Sequence, residues 1–200
     1  VTVVSQANLE ELKSLLPEAG MRAKVVYSYG AHDETGLPAS GAPLPAAAIL
    51  CPARLAPYKG IDVLLMAFAK LLDSGLSARL VFCGRDQMAG RSQEFARRMG
   101  LAGWVSFLGE VPRGELKALM RQAACVVLPS RRDNFPIALL EAMGEGAAVV
   151  AARVGGVGEL VRDGVDGLLV PCEDAEALAG ALERLLRDGG LRRRLGESAR

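Results

Sequence analysis

From residue 46 onward, short continuous apolar runs alternate with segments whose apolar positions recur every three or four residues. The runs at 46–51, 79–83, 104–108, 125–128, 148–151 and 167–170 predict strands. The segments between and after them, at 61–72, 92–99, 114–122, 137–145, 157–162 and 175–187, predict helices. In 61–72, Asp62 and Lys70 fall on the polar face. Strand-then-helix repetition implies an α/β fold, a doubly wound parallel sheet covered by helices on both faces. Ligands of such sheets bind in the crevice beyond the carboxyl ends of the strands, so the residues that follow each strand are the candidates for function.

The first part of the chain reads differently. Residues 1–5 predict a strand, 8–16 a helix and 24–29 another strand. The stretch 30–45 is rich in Gly, Pro, Ala and Ser and reads as a linker or long surface loop. The expected organisation is 1–35, the tail of a preceding domain or a first βα unit with its linker, followed by one α/β domain over 36–200. Because the chain begins at Val1 rather than Met, a piece of a longer protein is expected.

Composition narrows the picture. Half of the residues are hydrophobic, enough for a sizeable core. Lys plus Arg total 24 against 23 Asp plus Glu, a net charge of +1 that gives no electrostatic case for nucleic acid or an anionic membrane. The basic run Arg192-Arg193-Arg194 reads as a solvated face of a helix near the end. Cys51, Cys83, Cys125 and Cys172 form no C-x-x-C pair, and three lie in strand-like runs, so buried reduced thiols are expected. Structural zinc is disfavoured, since the only histidine is His32, in the loop after Gly30. No signal peptide and no apolar run near about 18 residues is present, and a cytoplasmic location is expected. Trp104, Met66 and Met143 read as core, and Glu145 and Glu173 as surface acids.

The most informative chemistry lies in Pro129-Ser130-Arg131-Arg132-Asp133-Asn134-Phe135-Pro136-Ile137-Ala138-Leu139-Leu140-Glu141-Ala142-Met143. A strand ends, a short loop carries Asp133, and Pro136 opens a helix that carries Glu141. The free N–H groups and positive dipole end of that helix suit an anion such as a phosphate. The two acids suit sugar hydroxyls on either side of a diphosphate. After the strand at 46–51 comes Arg54-Leu55-Ala56-Pro57-Tyr58-Lys59-Gly60, where Arg54 and Lys59 can clamp a diphosphate or stand as ordinary surface cations. Gly84 follows the next strand and permits either close backbone approach to a ligand or a tight turn. Phe107-Leu108-Gly109-Glu110-Val111-Pro112 is either a plain turn or a loop that hydrogen-bonds a nucleobase edge. Gly155-Gly156-Val157-Gly158 resembles a dinucleotide fingerprint, but Val161 occupies the third glycine position and no suitably spaced acid follows. No D-x-D is present, so no metal is expected, and phosphate charge falls to Arg54, Lys59 and the helix end.

In order along the chain stand Arg-x4-Lys-Gly, Phe-Leu-Gly, Pro-Ser, acid-x7-Glu-Ala-Met, Gly-Gly-x-x-Glu and Asp-Gly-x-x-Gly-Leu-Leu-Val-Pro. This ordered set resembles the carboxyl-terminal half of the retaining GT-B glycosyltransferases of family 4 (group 1), closely over 46–200 and more loosely over 1–35. The resemblance implies one Rossmann-like half of a GT-B fold that binds a nucleoside-diphosphate sugar, with the acceptor domain outside this chain. It implies that Arg54 and Lys59 contact the donor diphosphate and Glu141 the ribose hydroxyls. Asp133 would contact the sugar, standing where the family usually has the longer glutamate. Asn134, Phe135, Pro136, Ile137 and Ala138 match the loop whose backbone approaches sugar and phosphate, and Leu108, Gly109, Glu110 and Val111 match the base-binding loop. Ala53 replaces a common glycine, and Tyr29 a common asparagine. The implied activity is transfer of a hexose-type sugar to an acceptor hydroxyl without a cofactor, by a front-face route, with little transfer by the isolated piece. Any membrane association, peripheral at the inner membrane, would come through parts outside it. An epimerase or phosphorylase of the same fold and a non-catalytic nucleotide-binding module are the alternatives.

Overall fold

The computed structural model describes residues 2–3, 5–15, 24–25, 44–45 and 47–200. Its main element is a six-stranded parallel sheet. In chain order its strands are β3 (Ala48–Cys51), β4 (Arg79–Phe82), β5 (Val105–Phe107), β6 (Cys125–Leu128), β7 (Val149–Ala152) and β8 (Leu168–Val170). In space they run β5-β4-β3-β6-β7-β8. The connecting helices are α2 (Ile61–Asp73), α3 (Arg91–Arg98), α4 (Arg113–Gln122), α5 (Ile137–Gly144) and α6 (Val157–Leu160), and α7 (Ala175–Arg187) and α8 (Gly189–Ala199) follow β8. Earlier in the chain, β1 (Thr2–Val3) and β2 (Lys24–Val25) flank α1 (Gln6–Leu15) and pair with each other in a separate parallel ladder. His32 and nearly all of the 30–45 stretch lie outside the described residues.

The sheet is buried on both faces, and for this reason its strands read as unbroken apolar runs rather than alternating ones. Ile49 and Cys51 point to one side, where they pack with Leu64 and Phe68 of α2 and Leu182 and Leu185 of α7. Leu50, between them, points to the other side with Met120 of α4 and Leu139 of α5. Opposite facing of neighbouring residues is the two-residue repeat of a strand. Asp174 and Asp188 end the approach to α7 and α8, accepting hydrogen bonds from the N–H groups of Ala177 and Leu191 at 2.8 and 2.9 Å.

Several readings of individual side chains need correction. Trp104 is exposed rather than in the core, because β5 is the edge strand, and the Arg79 guanidinium sits over its ring at 5.1 Å. Met66 is also exposed: it lies midway between Asp62 and Lys70 at helical spacing, on their outward stripe. Met143 is buried as expected. Glu145 is largely shielded, its side chain 18% exposed, and pairs with Arg121 and Lys117, whereas Glu173 is exposed. Arg193 and Arg194 face solvent, but Arg192 turns back and donates to the carbonyls of Leu185 and Leu186 at the end of α7. Cationic donors are favoured at such carbonyl ends.

Cys51, Cys83 and Cys125 are buried free thiols, and Cys172 is exposed. Loss of solvation pushes Cys83 and Cys125 up to about 12 and raises Cys51 as well, so all three remain protonated near neutral pH. Among the described residues, no helix is long and apolar enough to cross a membrane.

Candidate functional site at the switch point of the sheet

β3 and β6 are neighbours, with Ile49 opposite Cys125 and Leu50 opposite Val126. From β3 the chain leaves through residues 54–60 and α2 toward β4, on one side. From β6 it leaves through residues 129–136 and α5 toward β7, on the other. The two exits diverge and leave a crevice between them, the place where open parallel sheets hold ligands. The crevice walls are joined by backbone. The N–H groups of Arg131 and Arg132 both donate to the Tyr58 carbonyl, at 2.8 and 3.4 Å. Gly60, with a φ of +64°, passes so close that an added Cβ would lie 2.1 Å from the Pro129 carbonyl oxygen. Only glycine fits both that conformation and that approach.

The crevice holds a cavity of about 650 Å³. Arg54, together with Tyr58 and Lys59 of a 3₁₀ turn at Pro57–Lys59, lines one wall. Arg132, Asp133, Asn134, Phe135 and Ile137 line the other. Thus six of the residues singled out from sequence converge here. Lys59 and Asp133 form an ion pair, Nζ to Oδ2 at 2.5 Å, with side chains only 13% and 11% exposed. The Ser130 hydroxyl donates to the same oxygen at 3.2 Å. The Tyr58 ring lies beneath both cations, 5.5 Å from Lys59 Nζ and 6.0 Å from Arg54 Cζ. Arg54 is exposed and has no acid partner among the described residues. The α5 N-terminus opens beside this group. Pro136 is its N-cap and supplies no side-chain hydrogen bond; the Leu139 N–H turns back to the Pro136 carbonyl at 3.0 Å, and the N–H groups of Ile137 and Ala138 are left for another acceptor.

Three supports of the site were not read from the sequence. Arg131 is the brace between the walls. It donates to both Asp62 oxygens at 2.9 and 2.8 Å, to Glu173 at 2.7 Å and to the Pro57 carbonyl at 2.8 Å. Its guanidinium holds the Asp62 carboxyl below the usual range, chiefly through these hydrogen bonds. Gly155 is the second support: a Cβ there would lie 2.1 Å from the Asp133 carbonyl oxygen, and the Gly156 N–H donates to that oxygen at 3.3 Å. The Gly-Gly pair therefore seats the loop that carries Asp133. The third is Glu159, whose two carboxylate oxygens accept from the N–H groups of Gln6 and Ala7, each at 2.8 Å. This fastens the start of α1 to the domain, and Glu11 of the same helix reaches the cavity. The Gly-Gly-x-x-Glu motif was visible, but its contacts are with residues far away in the chain.

The remaining predicted residues sit around the cavity, not in its lining. Gly84 and Gly109 meet through a hydrogen bond from the Gly84 N–H to the Gly109 carbonyl, 2.7 Å. Leu108 and Glu110 are exposed there, while Val111 packs against the core. Pro136 is buried and Ala138 half-buried at the start of α5. Glu141 faces α4, where Arg113 Nε donates to its Oε1 at 2.8 Å. Among the described residues there is no cluster of three or more His, Cys, Asp or Glu side chains able to hold a metal.

Comparison with known proteins agrees with this architecture. A family model described as "Glycosyl transferases group 1" matches residues 35–200. A D-inositol 3-phosphate glycosyltransferase of Corynebacterium aurimucosum is 39% identical over 165 residues, covering 80% of this chain and 39% of that protein. The chain thus spans about two fifths of that relative's length. The sucrose-phosphate synthase structure from Thermosynechococcus elongatus superposes with a TM-score of 0.84 at 28% identity, covering all of this chain and 52% of that one. Anabaena HepE, solved with UDP and glucose, shares the fold with a TM-score of 0.80 at 24% identity, over all of this chain and 56% of that one. With its six-stranded parallel sheet forming one half of a GT-B architecture, the chain belongs to the group 1 glycosyltransferases.

Proposed function

We propose that this chain is the donor half of a retaining glycosyltransferase, and that its cavity takes a nucleoside-diphosphate sugar. The observation that carries the reading is the gathering of Arg54, Lys59, Arg132 and Asp133 around one cavity beside the uncapped start of α5. A diphosphate leaving group gains negative charge as the glycosidic bond breaks. Preorganised cations and helix N–H groups stabilise that charge where it develops, without a metal. Arg54 offers a fork of donors and Lys59 a point charge.

The Lys59–Asp133 pair fits such a ligand. When a sugar diphosphate enters, Lys59 turns from Asp133 to phosphate and Asp133 accepts from sugar hydroxyls, so neither loses a partner. Glu141 accepts from the ribose, and the 108–111 loop meets the base. The acceptor hydroxyl then attacks the sugar carbon from the face the diphosphate leaves, its proton passes to the departing diphosphate oxygen, and configuration is retained. The acceptor site belongs to a partner domain. The family relationship and the D-inositol 3-phosphate glycosyltransferase relatives support transfer of a glycosyl group, which we read as a hexose-type sugar passing to a hydroxyl.

Thermal stabilisation by UDP-, GDP- and ADP-sugars, each beside its free nucleoside, tests the reading. One nucleotide class should raise the melting temperature strongly and its nucleoside far less. No stabilisation by any of them would overturn it. Release of nucleoside diphosphate by the longer protein, with transfer to an acceptor, separates a transferase from an epimerase or a binding module.

A further inference from the structure

Arg113 is the first residue of α4 and follows directly on the 108–112 loop. Two nitrogens of its guanidinium converge on one carboxylate oxygen of Glu141, Nε at 2.8 Å and Nη2 at 2.7 Å from Oε1. The second oxygen, Oε2, accepts no hydrogen bond among the described residues. The pair is mostly shielded, the side chains being 27% and 11% exposed. A terminal carboxylate otherwise turns broadly about its last bond. A planar guanidinium that pins one oxygen from two directions removes that freedom and leaves the other oxygen pointing one way.

We propose that Arg113 is a positioning residue that aims Glu141 Oε2 at the vicinal hydroxyls of a ribonucleotide. The inference rests on the donor-site reading above and extends it to a residue that the site's own motif does not contain. Arg113 also begins the helix that the 108–111 loop runs into. The same side chain therefore ties the exit of that loop to Glu141, and recognition of the base edge and of the ribose are mechanically joined through it. The ligand class it selects is a ribonucleoside diphosphate, in preference to its 2′-deoxy counterpart.

The test titrates the full 200-residue chain with UDP, GDP and ADP and with dUDP, dGDP and dADP by calorimetry. For the nucleotide that binds, the ribo-to-deoxy preference should fall by about fivefold to tenfold in Arg113→Ala, the size of one net hydrogen bond. Glu141→Gln should reduce it similarly, and the double variant should be no worse than Glu141→Gln alone. Arg113→Lys should restore part of the preference, since it returns the charge without the fork. It also keeps the comparison if Arg113→Ala fails to fold. Equal weakening of ribo and deoxy forms in Arg113→Ala would overturn the inference, because a merely structural role affects both alike. A preference that depends on Glu141 but is untouched by Arg113→Ala overturns it as well, while leaving the donor-site reading standing. Absence of any nucleotide binding by the unmodified chain overturns both.

Discussion

Replacing Arg131 by alanine removes the brace between the two walls of the cavity, and the cost can be worked from its contacts. The fork to Asp62 is bidentate at 2.9 and 2.8 Å, but Asp62 is 49% exposed, so it contributes about 1 kcal/mol, the upper end for a surface pair. The Glu173 contact involves a side chain 60% exposed and is worth about 0.3 kcal/mol. The bond to the Pro57 carbonyl has a charged donor and adds about 1.5 kcal/mol. Arg131→Ala should therefore destabilise the fold by about 2–3 kcal/mol. Asp62→Asn should cost about 1 kcal/mol and Glu173→Gln a few tenths at most. Urea unfolding followed by circular dichroism measures all three. Calorimetry with UDP, GDP and ADP then asks whether the site depends on the brace. Arg131→Ala should weaken the nucleotide that binds, because the Tyr58–Lys59 turn loses its tie to the 130–135 loop, and Glu173→Gln should not. Stability lost without any change in affinity would refute the reasoning, for it would mean that the backbone bonds to the Tyr58 carbonyl hold the walls unaided.

Arg54→Ala should weaken nucleoside diphosphate binding by about 1.5–3 kcal/mol and leave the nucleoside nearly untouched; equal losses in paired titrations would remove Arg54 from the diphosphate. Asp133→Asn should leave the free diphosphate bound at least as tightly, since the carboxylate that neutralises Lys59 is gone, while transfer by the longer protein falls. If Asp133→Asn and Lys59→Ala weaken the diphosphate alike, the pair is a loop brace. Nucleotide affinity should persist in EDTA because Arg54 and Lys59 supply the positive charge, and a strict need for added Mg²⁺ would contradict that. The Asp62 carboxyl is held below its usual range by Arg131, so this stabilisation is complete above about pH 4, the ordinary aspartate value, and is lost as the pH falls through the lowered folded value. Urea midpoints of the native chain and Asp62→Asn should accordingly converge in acid and separate above about pH 4.

Much of the domain was legible in the chain because hydrophobic periodicity is a local property. All six strands of the main sheet were marked by apolar runs, and the helices between them by three- and four-residue spacing. The boundaries drifted at the edges of these patterns. The strand expected at 104–108 closes at Val105–Phe107, and the helix expected at 157–162 ends at Leu160. Both faces of the sheet are buried, so apolar character alone placed the strands without saying which side chains face which helix. Trp104 shows the weakness of this: it reads as part of an apolar run, yet beside the edge strand β5 its side chain faces solvent under the Arg79 guanidinium.

The sequence by itself determined the α/β alternation, the residue types that follow each strand and the ordered motifs that carry the family resemblance. Only the tertiary structure decided that β3 lies beside β6, and hence that Lys59 meets Asp133 across 74 positions of chain. Strand order depends on how crossovers pack over the whole sheet, which no window of residues contains. For the same reason the roles of Arg131, Arg113, Gly155 and Glu159 could not be read from the chain, although the last two stand in the visible Gly-Gly-x-x-Glu motif. Their partners, Pro57 and Asp62, Glu141, the Asp133 carbonyl and the start of α1, became neighbours only when the sheet brought distant loops to one end.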